Sequence, residues 1–345
     1  MDDQGQYYEA RQHLNLSQLA YDVIDQDRFA FLGKPSFAGM LNRVFEMYRD
    51  YADAAIDLAC ESYEAVLKDE LAKVPEDTAK TAVMNELLSA HRQKLIITAR
   101  SYPRECKFKF QLNRENYAFI SAWRDTEDVY DGVPGKFIKA VIEEYARKPL
   151  VERESIVFRD LIDQINECIE SHRQINITLQ NGARYTLKPF CVCTDQGYNY
   201  HYLAGFAKGE DGIAEEKPVS FRVSNIASCR KIAKSGRLTD SQKREIQEKI
   251  RVGGVQFLLQ DPEIIRVKLS TRGKNMYDSQ AHLRPPFINR SQNPDGTWVY
   301  DFSCTPIQAR FYFFKFGADA EILQPEELRK EFRQLYAESL AVYTE

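Results

Sequence analysis

INITLQNGARYTLKPFCVCTD, residues 175 to 195, reads as two strands joined by a short turn. Apolar and polar residues alternate through Ile175, Ile177 and Leu179, and Asn181-Gly182 signals a hairpin turn before alternation resumes at Tyr185 and Leu187. Two further strands are expected in YNYHYLAGFA (198–207) and VSFRVSNI (219–226), separated by the polar loop KGEDGIAEEKP. Several short antiparallel strands in succession predict a small barrel. Just upstream, FRDLIDQINECIESHRQ (158–174) carries the period of an amphipathic helix.

Towards the N-terminus the order changes to strand, helix, helix, and it occurs twice. RQHLNL (11–16) precedes a helix capped by Ser17, and after Gly33 and Pro35 a second helix is capped by Ser36, with Phe37, Leu41, Val44, Phe45 and Tyr48 at helical spacing. KFKFQL (107–112), NRENYAFISAW and, after a Gly132, Pro134 and Gly135 loop, KFIKAVIEEYARK repeat the plan. Leu16 and Tyr21 match Leu112 and Tyr117, while Phe37, Leu41 and Phe45 match Phe137, Val141 and Tyr145, so the region reads as a duplication around a helical spacer at about 53–100. With Leu14, Leu16, Phe108, Phe110 and Leu112 inward, Arg11, His13, Asn15, Lys107, Lys109 and Gln111 project outward. Such donors suit a two-stranded ribbon in a nucleic-acid groove. Adjacent carboxylates such as Glu143 and Glu144 are the ordinary content of a charged helix.

Beyond residue 236 come a basic helix SQKREIQEKI, strand EIIRVKLS, a helix near 272–281, strand TWVYDFSC, the apolar helix IQARFYFFKFG and a closing helix from Pro325. The fold class is therefore α+β, in three parts: 1–152, 153–235 and 236–345. Arg266, Lys268, Arg272, Lys274, Arg284 and Arg290 make the last part locally basic, with Asp278 the one acid among them, whereas Phe311, Tyr312, Phe313, Phe314 and Phe316 read as core or subunit interface.

The 345 residues, 43% hydrophobic and 28% charged, suffice for a core in each part. MDDQGQYYEA lacks the regions of a signal peptide and no apolar run reaches membrane length, so a soluble, cytoplasmic protein that does not touch membrane is expected. Seven scattered cysteines suit reduced core thiols, with Cys191 and Cys193 packing rather than holding metal. A net charge of -4 confines any nucleic-acid footprint to local patches, and residues 221–251 carry nine basic side chains against three acidic ones. HExxH, GK[ST] phosphate loops, GxGxxG, GxSxG and paired CxxC are absent, and no histidine has an arginine five to seven residues upstream. The expectation is a binder, not an enzyme, with no catalytic residue, cofactor or metal.

Each N-terminal repeat resembles a ribbon-helix-helix module. The resemblance implies that the two strands pair within one chain and that the second helices offer phosphate contacts through Lys34, Ser36 and Lys136. Residues 155–235 resemble a WYL domain, on KPF at Lys188 to Phe190, His201-Tyr202-Leu203 in place of the eponymous triad, and FRVSNI from Phe221. The implied SH3-like or Sm-like barrel has a ligand groove that falls here on Lys188, His201, Tyr202 and Arg222; His201 replaces the tryptophan and Asn225 a second arginine. GADAEILQPEELR (317–329) is similar to the extension that follows WYL domains, which implies ligand gating or dimer contacts. The combination resembles the accessory proteins of type VI-D CRISPR systems. That implies single-stranded RNA binding and modulation of an RNA-guided RNA-cleaving effector; a homodimer is expected, and Tyr202 with Arg222 is expected to contribute more to RNA binding than Lys107 with Lys109. The alternatives are a transcriptional repressor that binds duplex DNA through the ribbon and senses ligand in the WYL domain, and an adaptor that contacts only protein.

Overall fold

The alternation in RQHLNL and KFKFQL becomes a two-stranded antiparallel ribbon, β1 (Arg11–Leu16) against β2 (Cys106–Gln111). The computed structural model describes residues 11–33, 36–72, 74–75, 78–100, 106–125, 130–195, 197, 199–209, 216–259 and 261–343, and the chain divides into two units, Met1–Arg159 and Asp160–Glu345.

Among the described residues of the first unit the ribbon joins seven helices: α1 (Gln18–Leu32), α2 (Phe37–Tyr48), α3 (Ala52–Glu70), α4 (Thr78–Arg100), α5 (Arg114–Ala122), α6 (Pro134–Arg147) and α7 (Leu150–Val157). Helices α3 and α4 fill the spacer, with the rings of Tyr63 and His91 stacked at 4.2 Å. Leu14, Leu16 and Phe110 turn inward from the ribbon, and Ile24, Leu41, Val44, Phe45, Ile138, Val141 and Ile142 complete a buried core. Each such side chain contributes roughly 1.5–3 kcal/mol by leaving water.

The duplication has a structural counterpart in a reciprocal clamp. Ser17 caps α1, accepting from the Ala20 N–H at 3.2 Å, and its own N–H and hydroxyl both donate at 2.7 Å to Glu143 of α6, in the other repeat. Asn113 caps α5, accepting from the Asn116 N–H at 2.8 Å, and its N–H donates at 2.9 Å to the side chain of Asn42 in α2, again in the other repeat. The second helix of each repeat thus holds the cap of the other's first helix. Asn42 also donates to the Gln111 carbonyl, tying the ribbon to the clamp. A further buried acid, Asp27, accepts from Tyr145 at 2.6 Å and from two guanidinium nitrogens of Arg153 at 2.7 and 3.1 Å.

The second unit begins with α8 (Arg159–Glu170), whose first residue lies at the unit boundary. It is followed by β3 (Arg173–Leu179), β4 (Arg184–Thr194), β5 (His201–Gly209), β6 (Lys217–Arg222) and β7 (Ile226–Ser235), which pair antiparallel in the order β6-β5-β4-β3-β7. Ile165 and Cys168 of α8 pack against Ile175, Ile177, Leu187, Leu203 and Val219 on one face. On part of the other face Ala204 and Phe206 pack beneath Leu238 and Ile246, the latter from α9 (Asp240–Gly253).

Two expectations change here. VSFRVSNI is not one strand: it breaks at a 3-10 turn over Val223–Asn225, and β7 follows it. The sheet does not close into a barrel either, because no ladder joins edge strands β6 and β7 among the described residues.

The second unit also holds a four-stranded antiparallel sheet, ordered β11-β8-β10-β9: β8 (Glu263–Leu269), β9 (Phe287–Gln292), β10 (Trp298–Cys304) and β11 (Ala320–Gln324). Helices α10 (Thr271–Ser279), α11 (Pro306–Phe313) and α12 (Glu326–Ala341) accompany it. Tyr312, Phe313 and Phe316 join the core with Val267, Tyr300, Phe302 and Phe332, whereas Phe311 is 56% exposed. Strands β9 and β11 were not expected from the sequence. No described helix is long and apolar enough to cross a membrane.

Candidate nucleic-acid interface

The five strands β3 to β7 contain nine Lys and Arg residues and no Asp or Glu. In a chain of net charge -4 this is a pronounced local excess. Register then decides where the charges point, since directly opposed residues in an antiparallel ladder share a face. Lys208, Thr186, Asn176 and Arg230 lie side by side across β5, β4, β3 and β7, with Arg184, Thr178 and Ser228 in the next row. Their neighbours Ile175, Ile177, Leu187 and Ala207 face α8, so these rows point the other way. The cluster under α9 involves Phe190, Cys191, Cys193, Tyr202, Ala204 and Phe206 and stops short of them. Arg184, Thr186, Asn176, Lys208, Ser228 and Arg230 are all exposed. Thr186 donates to Asn176 at 2.9 Å, and Arg184, Lys208 and Arg230 make no ion pair among the described residues. The result is an open, basic sheet surface bearing hydroxyl and amide groups.

The four WYL-like residues do not form one cluster. Tyr202 and Arg222 are directly paired across β5 and β6. Tyr202 is half-buried against the α9 cluster, and the Arg222 guanidinium lies 3.3 Å from the centre of the Tyr200 ring. Lys188 shares their face but pairs with Phe206, four residues along β5 from Tyr202, or about 13 Å. It is bound to Glu216 at 2.8 Å, and Gln242 of α9 donates to the same carboxylate at 3.2 Å. His201, one residue from Tyr202, falls on the opposite face by strand alternation.

The ribbon residues do come together. Arg11 opposes Gln111, His13 opposes Lys109 and Asn15 opposes Lys107, so all six occupy one face, and all but half-buried Asn15 are exposed. Gly135, at the start of α6, is set so close that a Cβ there would lie 3.3 Å from the His13 carbonyl oxygen. Of the three phosphate candidates, Ser36 accepts from the Gly39 N–H as a helix cap, Lys136 is ion-paired with Asp131, and Lys34 lies outside the described residues. The basic run of the C-terminal sheet is largely neutralised by contacts that sequence spacing hides: Arg266 with Asp301 at 2.7 Å, Lys268 with Asp295 at 3.7 Å and Arg272 with Asp319 at 3.5 Å.

Cys191 and Cys193 pack at the edge of the α9 cluster with sulfurs 3.9 Å apart, and the hydrogen bond between them together with burial pushes the Cys191 thiol pKa up. Among the described residues no group of three or more His, Cys, Asp or Glu is placed to hold a metal.

Over 99% of its length the chain is similar to a solved structure described as a CRISPR Cas-related protein, at 24% identity and a TM-score of 0.72, covering 96% of that chain. The two share a fold throughout. Proteasome accessory factor B/C (PafBC) of Arthrobacter aurescens matches at 13% identity over 95% of this chain and 58% of that one, with a TM-score of 0.27 that says nothing about fold. No family model and no curated protein sequence matches.

Arg184, Lys208 and the Asn176–Thr186 pair were missed from sequence. The signal was present as the absence of any carboxylate from five consecutive strands, but a search for local runs of positive charge passes over it.

Proposed function

We propose that the chain is a non-catalytic, single-stranded RNA-binding regulator, acting in the cytoplasm as a homodimeric accessory to an RNA-guided, RNA-targeting CRISPR effector of type VI-D. The observation that carries it is the sheet with nine cations, no carboxylate and one stretch of open face. Arginine and lysine spaced across adjacent strands suit a polyphosphate track, and threonine, serine and asparagine among them suit 2′-hydroxyl and base edges. The fold shared along nearly the whole chain with a CRISPR Cas-related protein supports the accessory role. On this reading the N-terminal repeats are a fused pair of ribbon-helix-helix modules and residues 153–235 are a WYL domain with an opened barrel.

Fluorescence anisotropy with one labelled sequence as single-stranded RNA, single-stranded DNA and duplex DNA tests it. The RNA should bind most tightly, with log affinity falling against log salt by about 0.7 per phosphate contacted. Absence of RNA binding at low salt sinks the proposal. Preference for the duplex favours the transcriptional repressor, a reading supported by the six outward residues of the ribbon, whose donors fit a major groove.

A further inference from the structure

A cavity of about 650 Å³ opens where β4, the end of β7 and the start of α9 meet. Its size is that of a small-ligand site. Pro189, Phe190, Leu238 and Ile169 supply apolar walls; Arg237, Lys243, His172 and Asp240 supply the polar lining. Two irregularities build it. The register of β4 slips between Pro189 and Cys191, which sets Phe190 out of the regular ladder. Gly236 closes β7 so tightly that a Cβ would lie 2.6 Å from the Arg173 carbonyl, and the following Arg237 and Leu238 line the cavity beside Phe190.

We infer that this cavity receives one unpaired nucleobase of an RNA strand whose backbone continues over the open face of the sheet. The inference rests on the RNA-binding reading above. Chemically, an aromatic ring with aliphatic neighbours suits the flat face of any base, and Arg237 and Lys243 suit its flanking phosphates. Asp240, 3.9 Å from Lys243, is an acceptor for an exocyclic amino group or a ribose hydroxyl. Position favours a strand over a free nucleotide. Pro189 on β4 is three residues from Thr186, and Arg173 beside Gly236 is three residues from Asn176, so the row containing Arg230 and Lys208 begins about 10 Å from the cavity. The cations therefore continue beyond the space that a single nucleotide fills. Tyr202, further along β5, and Arg222, opposite it on β6, do not line the cavity.

The test uses full-length protein and labelled RNAs of about 12 nucleotides, one intact and others carrying a single abasic ribose at successive positions. An abasic residue at one position should weaken binding about tenfold. Phe190→Leu keeps apolar volume but removes the ring, so it should bind intact and abasic RNA alike. Arg237→Ala with Lys243→Ala, both exposed, should lower the salt slope by about 1.4. If Phe190→Leu fails to fold by circular dichroism, the exposed double variant and the abasic series in unaltered protein still decide. The pocket is refuted, with RNA binding intact, if unaltered protein binds RNA but no abasic position matters, or if both variants bind as it does. Absence of RNA binding by unaltered protein refutes both readings. Saturable, Phe190-dependent binding of adenosine monophosphate without any abasic effect would make this a free-nucleotide site and also overturn the inference.

Discussion

Glu143 is 2% exposed and receives both donors of Ser17, whereas its neighbour Glu144 reaches Lys148 at 3.3 Å near the surface. Sequence treats these two carboxylates alike, because neighbours on a helix differ only in which way the helix is turned. Glu143→Ala leaves a buried N–H and O–H without their acceptor and should cost about 3 kcal/mol, read as a lower urea midpoint of the first unit. Asn42→Ala, at the reciprocal position, should lower it comparably because Asn113 and Asn116 both lose partners. A loss under about 0.5 kcal/mol for either, the range of an ordinary surface change, would show that the clamp is not needed. Caps were legible where the residue type announces them, as at Ser17 and Ser36, while the groups that hold the caps came from the other repeat and carried no local signal.

Strand legibility followed burial. β1 and β2 alternate cleanly because one face is covered, and their outward residues could be named in advance. β7 and β9 are edge strands; β9 is exposed at every position and β7 at most, so neither carries an apolar period. The five-strand sheet and the ribbon present rival cationic faces, and paired substitutions separate them. Arg184→Ala with Arg230→Ala should lower the salt slope of RNA binding by about 1.4 and affinity with it, while Lys107→Ala with Lys109→Ala should leave the RNA slope unchanged. An equal or larger loss from the ribbon pair would move the RNA site to the first unit. Tyr202→Ala is a poor probe of RNA contact, since its half-buried ring packs in the α9 cluster and its loss tests stability first.

Across the described residues, buried tyrosines link stability to alkaline pH. Burial pushes Tyr277 up to about 12 and raises Tyr312 and Tyr145, the last also through the nearby Asp27 carboxylate. Unfolded tyrosines ionise near 10. Above that pH the unfolded chain has released protons that the folded chain retains, so stability present below about pH 10 falls as pH rises towards the folded values. Urea unfolding from pH 8 to 11 should show this decline, and Tyr277→Phe should flatten it; a pH-independent midpoint would refute the linkage. At this scale the amino-acid sequence determined the amphipathic helices, the caps at Ser17 and Ser36, the two strands of the ribbon and the charge carried by each strand, all of which depend on residues a few positions apart. Tertiary structure decided which strands adjoin, which face of β5 is covered by α8 and which by α9, that Glu143 answers Ser17, and that α9 stops short of Arg184, Asn176 and Arg230. A strand's two-residue period assigns side chains to alternate faces, but which face is then covered depends on contacts between residues tens of positions apart.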